Sequence, residues 1–160
     1  MDDYDGDALY WDGDLVVAGD LRVADVDAAV LVVSGDLVVS GLYDAPDEHS
    51  FVVVRGDLRA ADMITASSLD VFGDVAVTGI VLGDYNDGGA HIRGDLRARL
   101  FAPCDHPFRV DGTVDAPFIL ARGEPRRQEN RWEALPLAAD LRLDDVCPRL
   151  RRGLPVLRPA

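Results

Sequence analysis

The chain has 160 residues and a formal net charge of −13, with 29 acidic side chains against 16 basic ones and no lysine. That length suits one domain with its own core, and the acidic balance argues against nucleic-acid binding. No apolar run approaches the roughly 20 residues of a membrane-crossing helix, and the acidic start Met1-Asp2-Asp3-Tyr4-Asp5 lacks the basic residues of a signal peptide, so no membrane partner and a cytoplasmic location are expected.

In chain order, residues 1–14 are expected to form a starting strand or N-terminal cap. Leu9, Trp11, Gly13, Leu15 and Val17 share one parity, and Gly13-Asp14 is a partial copy of the phrase that follows, 6 residues ahead of Gly19. Residues 15–122 then repeat that phrase six times: hydrophobic, any, hydrophobic, any, Gly, Asp, hydrophobic, any, small apolar. Its glycines are Gly19, Gly35, Gly56, Gly73, Gly94 and Gly112, spaced by 16, 21, 17, 21 and 18 residues. Self-similarity at such periods marks a solenoid, whose coils cannot bury their apolar faces alone.

Two residues before each glycine stand Val17, Val33, Val54, Val71, Ile92 and Val110; two after stand Leu21, Leu37, Leu58, Val75, Leu96 and Val114. The positions between are polar or mixed. Alternation with period two, rich in β-branched residues, predicts strands with one face in and one face out. Stacked in parallel, they predict an all-β, parallel β-helix of about six coils, with like residues about 4.8 Å apart along the axis. Each glycine falls on the inward parity, at a bend that needs a missing Cβ or a positive φ. Asp20, Asp36, Asp57, Asp74 and Asp95 follow it and point outward, as corner residues whose oxygens bond backbone N–H groups. Thr113 replaces Asp in the last copy. The apolar residues seven after the glycines (Val26, Leu42, Met63, Ile80, Phe101 and Ile119) break the even parity, so another corner precedes them.

Coil lengths alternate, and the extra residues fall in 43–50 (YDAPDEHS) and 83–89 (GDYNDGG). Each insertion sets a tyrosine among carboxylates: Tyr43 with Asp44, Asp47 and Glu48, and Tyr85 with Asp84 and Asp87. Tyrosines are enriched at interfaces, and insertions in repeat proteins often line the binding face. Residues 1–95 hold 20 acidic and 4 basic side chains, a balance of −16, whereas 96–160 hold 9 and 12, a balance of +3. These seven loop residues are therefore the expected contact set for another protein with a basic surface.

Residues 123–160 are expected to be a connector and a C-terminal cap. Gly123 to Asn130 (GEPRRQEN) is polar, and Leu135, Leu137, Leu141 and Leu143 then alternate imperfectly. Asp144 starts a short helix running to about Arg152, with Pro148 in its tolerant first turn, arginines at its end and Gly153 as its stop. Leu154-Pro155-Val156-Leu157 reads as a closing extended segment, and the whole is expected to cover the last coil.

Cys104-Asp105-His106 sets a thiol and an imidazole two apart, which in an extended segment would share a face as nucleophile and base do. The flanking Pro103 and Pro107 read instead as an ordinary connecting loop. Asp84 to Asp95 begins like an EF-hand loop, but Gly88 takes its fifth position and Asp95 its twelfth, without flanking helices. There is no Gly-rich phosphate loop, no His/carboxylate metal spacing and no serine elbow, and the two cysteines are too few for a disulfide framework. Neither a catalytic residue nor a metal or cofactor is expected, and the chain is expected not to be an enzyme.

The phrase Val-x-Gly-Asp-Leu-x-Val, spelled by Val17–Val23 and Val33–Val39, resembles the bactofilins, the polymer-forming cytoskeletal proteins of bacteria. The resemblance covers about residues 15–120 and implies a right-handed β-helix without catalytic site that joins end to end. Variable coil lengths and the Leu/Arg-rich C-terminal tail depart from that pattern. Two functions are thus expected: a non-enzymatic protein-binding β-helix, such as an immunity-type protein that neutralises a basic bacterial toxin, or a bactofilin-like scaffold that self-associates through its coil ends.

Overall fold

Alternating strands bury one face only if other strands close a space around it, and this chain closes it with three walls. The computed structural model describes residues 7–84, 87–120, 137–138, 141 and 143–159. It is an all-β solenoid of three parallel sheets, six strands each, with one short helix near the C-terminus. The first wall is Ala8–Trp11, Val30–Val33, Phe51–Val54, Ser68–Val71, Ala90–Ile92 and Phe108–Val110. The second is Leu15–Val17, Leu37–Val39, Leu58–Ala60, Val75–Val77, Leu96–Arg97 and Val114–Asp115. The third is Leu21–Arg22, Leu42–Ala45, Asp62–Thr65, Ile80–Gly83, Leu100–Ala102 and Phe118–Ile119.

Like stacks on like. Leu9, Leu31, Val52, Leu69, Ala90 and Phe108 form one inward column of the first wall, and Leu15, Leu37, Leu58, Val75, Leu96 and Val114 form one in the second. With Tyr43, Met63, Val81 and Phe101 from the third wall they enclose a continuous core.

The first corner explains the Gly-Asp phrase. A carboxylate oxygen of Asp14 accepts the N–H of Asp36 (2.8 Å), Asp36 that of Asp57 (2.9 Å), Asp57 that of Asp74 (2.9 Å), Asp74 that of Asp95 (2.8 Å) and Asp95 that of Thr113 (2.8 Å). Each carboxylate thus reaches forward one coil, into the space that a Cβ on that coil's glycine would fill; on Gly73 such a Cβ would strike the Asp57 side chain and the Gly56 backbone. Arg59 also pairs with Asp36 and Asp57, which relieves repulsion along the column. The N–H of Asp57, more than any other cause, holds the Asp36 carboxyl below its ordinary value.

Gly19 and Asp20 do not belong to this column. Gly13 is the glycine stacked on Gly35, its carbonyl accepting the Gly35 N–H (2.9 Å), so the first coil begins at Ala8 rather than near residue 15. Gly19 sits at the second corner, its carbonyl accepting from Gly41 (2.8 Å), while Asp20 accepts from Leu42 (2.8 Å) and Asp62 from Ile80 (3.0 Å). Both first-coil glycines adopt a positive φ, +88° for Gly13 and +94° for Gly19, a backbone state glycine enters without steric cost.

The second corner also varies by one residue. Leu42 stacks on Asp62 although it lies seven residues, not six, beyond its first-corner glycine. The expected column seven after each glycine therefore splits. Met63 and Phe101 join the core, whereas Leu42 and Ile80 face the other side of the wall.

The described part of the C-terminal segment reaches well beyond the last coil, whose Phe118 and Leu120 belong to the same apolar cluster. It lies along the outer face of the third wall, where Leu137, Val146, Leu150 and Val156 pack on Leu42, Ile64, Ile80, Leu82, Leu100 and Ala102. The reason is the apolar character of that wall on both faces, which a single core cannot bury. Within this strap a 3-10 turn at Leu143–Asp145 leads into a helix at Val146–Arg151, and Gly153 ends it with φ +66°. Asp144 lies in the turn and gives the helix no side-chain cap. The connector at 123–130 and Leu135 lie outside the described residues.

Asp57→Ala should destabilise the fold by about 1–2 kcal/mol, because it orphans the Asp74 N–H, whereas Asp57→Asn, which still accepts that bond, should cost much less. Urea unfolding of the two variants checks the difference.

Candidate protein-binding surface

All large variation in coil length sits at the third corner, between the third wall and the next first-wall strand. Both expected insertions, trimmed to residues 46–50 and 84–89, lie on that edge, in the second and fourth coils. The structure divides the seven expected contact residues. Asp47, Asp84 and Asp87 are exposed and Glu48 is half-buried, with Asp47 closing its own loop by accepting the His49 N–H (2.9 Å). Tyr85 lies outside the described residues.

Tyr43 and Asp44 are not contact residues. The extra residue at the second corner starts the strand one position late, which turns Tyr43 into the core, where it is fully buried. Burial pushes its phenol well above the ordinary range. Asp44 then faces the strap and is 3% exposed. There Arg151 grips it with two bonds, Nε to Oδ2 at 2.9 Å and Nη2 to Oδ1 at 3.0 Å, while also reaching Asp84 at 3.5 Å. The acidic "loop" is thus partly a clasp for the C-terminal strap.

Cys104 and His106 do not lie along one extended segment. Cys104 sits in a turn with φ +50°, and burial, then the nearby Asp105, Asp84 and Asp144, pushes its thiol up to about 11. An activated cysteine needs the opposite shift. His106 is buried with its ring edge-on to Phe108, centroids 5.3 Å apart. Cys147 in the strap packs into the same apolar cluster and its thiol is raised, chiefly by burial, to about 12. Both cysteines are free thiols. Among the described residues no group of three or more His, Cys, Asp or Glu could hold a metal ion.

A groove of about 400 Å³ runs between the strap and the second corner, with Asp20, Asp62 and Arg99 on its body side and Leu154 to Leu157 on the other. Burial, opposed by the Ile80 N–H, raises the Asp62 carboxyl above its ordinary value.

The outer face of the first wall carries a feature that alternation did not predict. Val30, Val32, Phe51 and Val53 face outward there, half-buried, beside exposed Ala8 and Tyr10, the latter 63% accessible. Val16, around the first corner, is 71% accessible. From the fourth coil onward the column of Tyr10, Val32 and Val53 becomes ionic: Asp70 takes Arg93 at 3.0 Å, and Asp111 takes His91 Nε2 at 2.8 Å and Arg109 Nε at 2.9 Å. Phe72 is stacked between the guanidiniums of Arg55 and Arg93, at 4.5 and 4.0 Å from its ring centre. The signal was in the sequence, since Val30–Val33 and Phe51–Val54 are unbroken apolar runs whereas Leu69-Asp70-Val71 alternates. No helix among the described residues is long and apolar enough to cross a membrane. Compared with protein-family models, curated proteins and solved structures, the chain has no match.

Arg151→Ala should cost about 2–3 kcal/mol, toward the lower end for a broken buried pair because Arg151 itself is partly exposed. Chemical unfolding of Arg151→Ala beside Arg151→Ala/Asp44→Asn measures it, the double variant recovering part of the loss. Asp62 gives a pH prediction of opposite sign to most carboxylates. Its raised folded value makes its share of stability full below the ordinary aspartate value and lost as pH rises through the folded one. Asp62→Asn, which keeps the acceptor for Ile80, should therefore be more stable than the parent at neutral pH and equal to it in acid.

Proposed function

We propose that this chain is a non-enzymatic protein-binding solenoid that engages a partner with a basic surface. The observation that carries this reading is a set of exposed carboxylates, Asp7, Asp12, Asp25, Asp27, Asp47 and Asp87, with no cation beside them among the described residues. Carboxylates left unneutralised attract a cationic partner over about a Debye length, roughly 10 Å at 0.1 M salt. In its concrete form the partner is a basic bacterial toxin, and the chain is an immunity-type protein that covers the toxin's site.

A second reading, a bactofilin-like polymer-forming scaffold, is favoured by the open coil ends. Inward-parity Leu9 and Trp11 on the first coil are 44% and 45% accessible, and Val114 and Ile119 on the sixth are also exposed. Among the described residues such ends present unpaired strand edges to another chain.

The charge reading predicts that Asp47→Asn/Glu48→Gln/Asp87→Asn, which leaves core and strap untouched, weakens capture of a basic partner at low salt and flattens the salt dependence. Unchanged affinity with an unchanged salt slope would count against it. Light scattering of the parent protein separates the two readings: a discrete particle supports the binding module, and open-ended assemblies that Trp11→Glu dissolves support the scaffold.

A further inference from the structure

We infer that the outer face of the first wall, over the first three coils, is the docking strip of this acidic surface, and that its occupant is a cationic amphipathic helix of the partner protein. The inference rests on the protein-binding reading above and specifies its geometry. Outward positions of a solvated sheet are ordinarily polar, as Asp70, His91 and Arg109 are in the last three coils of this wall. In the first three coils the same column is Tyr10, Val32 and Val53. The neighbouring column there is Ala8, Val30 and Phe51. Over these three coils the outward face is therefore apolar where the rest of the wall is polar.

Its size and rim say what fits. Three rungs span about 14 Å along the axis, and four strand residues span about 13 Å across. That is on the order of 200 Å², well under the roughly 800 Å² per partner of a standard interface, so two such faces do not make a dimer of this chain. It does match about three turns of one α-helix, whose apolar stripe is of similar length and whose width is about 10 Å. The rim is acidic on its third-corner edge. Asp7, Asp27, Asp47 and Glu48 border the third-corner side, and Asp12 borders the first-corner side. The first-corner edge also carries a cation, Arg55, which is stacked on Phe72. A helix with a leucine-type stripe and Lys or Arg on its flanks meets all of these features at once.

The test uses the full chain and two synthetic peptides of equal length and equal lysine count, one a Leu/Lys amphipathic helix and the other a Ser/Lys sequence. At low salt the Leu/Lys peptide should bind about tenfold more tightly. Val32→Thr/Val53→Thr, which keeps β-branched side chains on the strand, should bring the two peptides to parity with an unshifted thermal midpoint. Tyr10→Ser, at an exposed position, should lower the preference several-fold even where the double variant fails to fold. Equal affinity of both peptides for the parent overturns the apolar strip and leaves the acidic-surface reading standing. Absence of binding by either peptide at low salt overturns both. A preference that survives in both variants places the apolar contact elsewhere and also overturns the inference.

Discussion

The fold depends on one hydrogen bond repeated along the first corner: an aspartate carboxylate of each coil accepting a backbone N–H of the next. Because that carboxylate occupies the volume a Cβ would take, the Asp of one coil and the Gly of the next are two halves of one contact. This is why the two residues recur together. The bond fixes the height and phase of each coil at one edge, and the alternation of the following strand then sends its apolar residues inward without further instruction. The column starts at Gly13, which uses a positive φ instead of an aspartate beneath it, and it stops at Thr113 on the last coil, which has no further rung to hold among the described residues.

Much of this was legible in the sequence because it is local and periodic. The β-helix, the walls contributed by Val33, Leu37 and their stacked equivalents, and the corner at Gly35 through Gly112 follow from parity and spacing. What failed has a common physical cause, a change of length at a corner. Gly19-Asp20 satisfies the same nine-residue phrase as Gly35-Asp36, yet it belongs to the second corner, and only stacking distinguishes the two. One added residue near Gly41 inverted the faces of Tyr43 and Asp44. The strap's position was hidden because it depends on contacts between residues as far apart in sequence as Asp44 and Arg151. Its counterpart was visible all the same, since Ile80-Val81-Leu82 and Leu100-Phe101-Ala102 read as strands buried on both faces.

The three walls therefore face three environments. The second and the later part of the first carry ion pairs suited to water. The third is covered by its own C-terminal segment, whose Arg151 meets a carboxylate otherwise lost to solvent. The early part of the first wall is apolar and half-buried, with acidic residues at its third-corner edge. The candidate site follows from this inequality among walls, and the loops that the sequence emphasised contribute its border rather than its centre.

The third corner has a consequence for how such a chain can change. Between the third and first walls the successive coils spend 7, 5, 2, 6 and 5 residues, while the other two edges hold their lengths to within about one residue because stacked columns pass through them. A rod of this design has a single seam open to insertion. New segments grafted there leave every column in register, so the lineage is free to diversify its border loops while the Gly-Asp edge and the strap-covered wall stay unaltered.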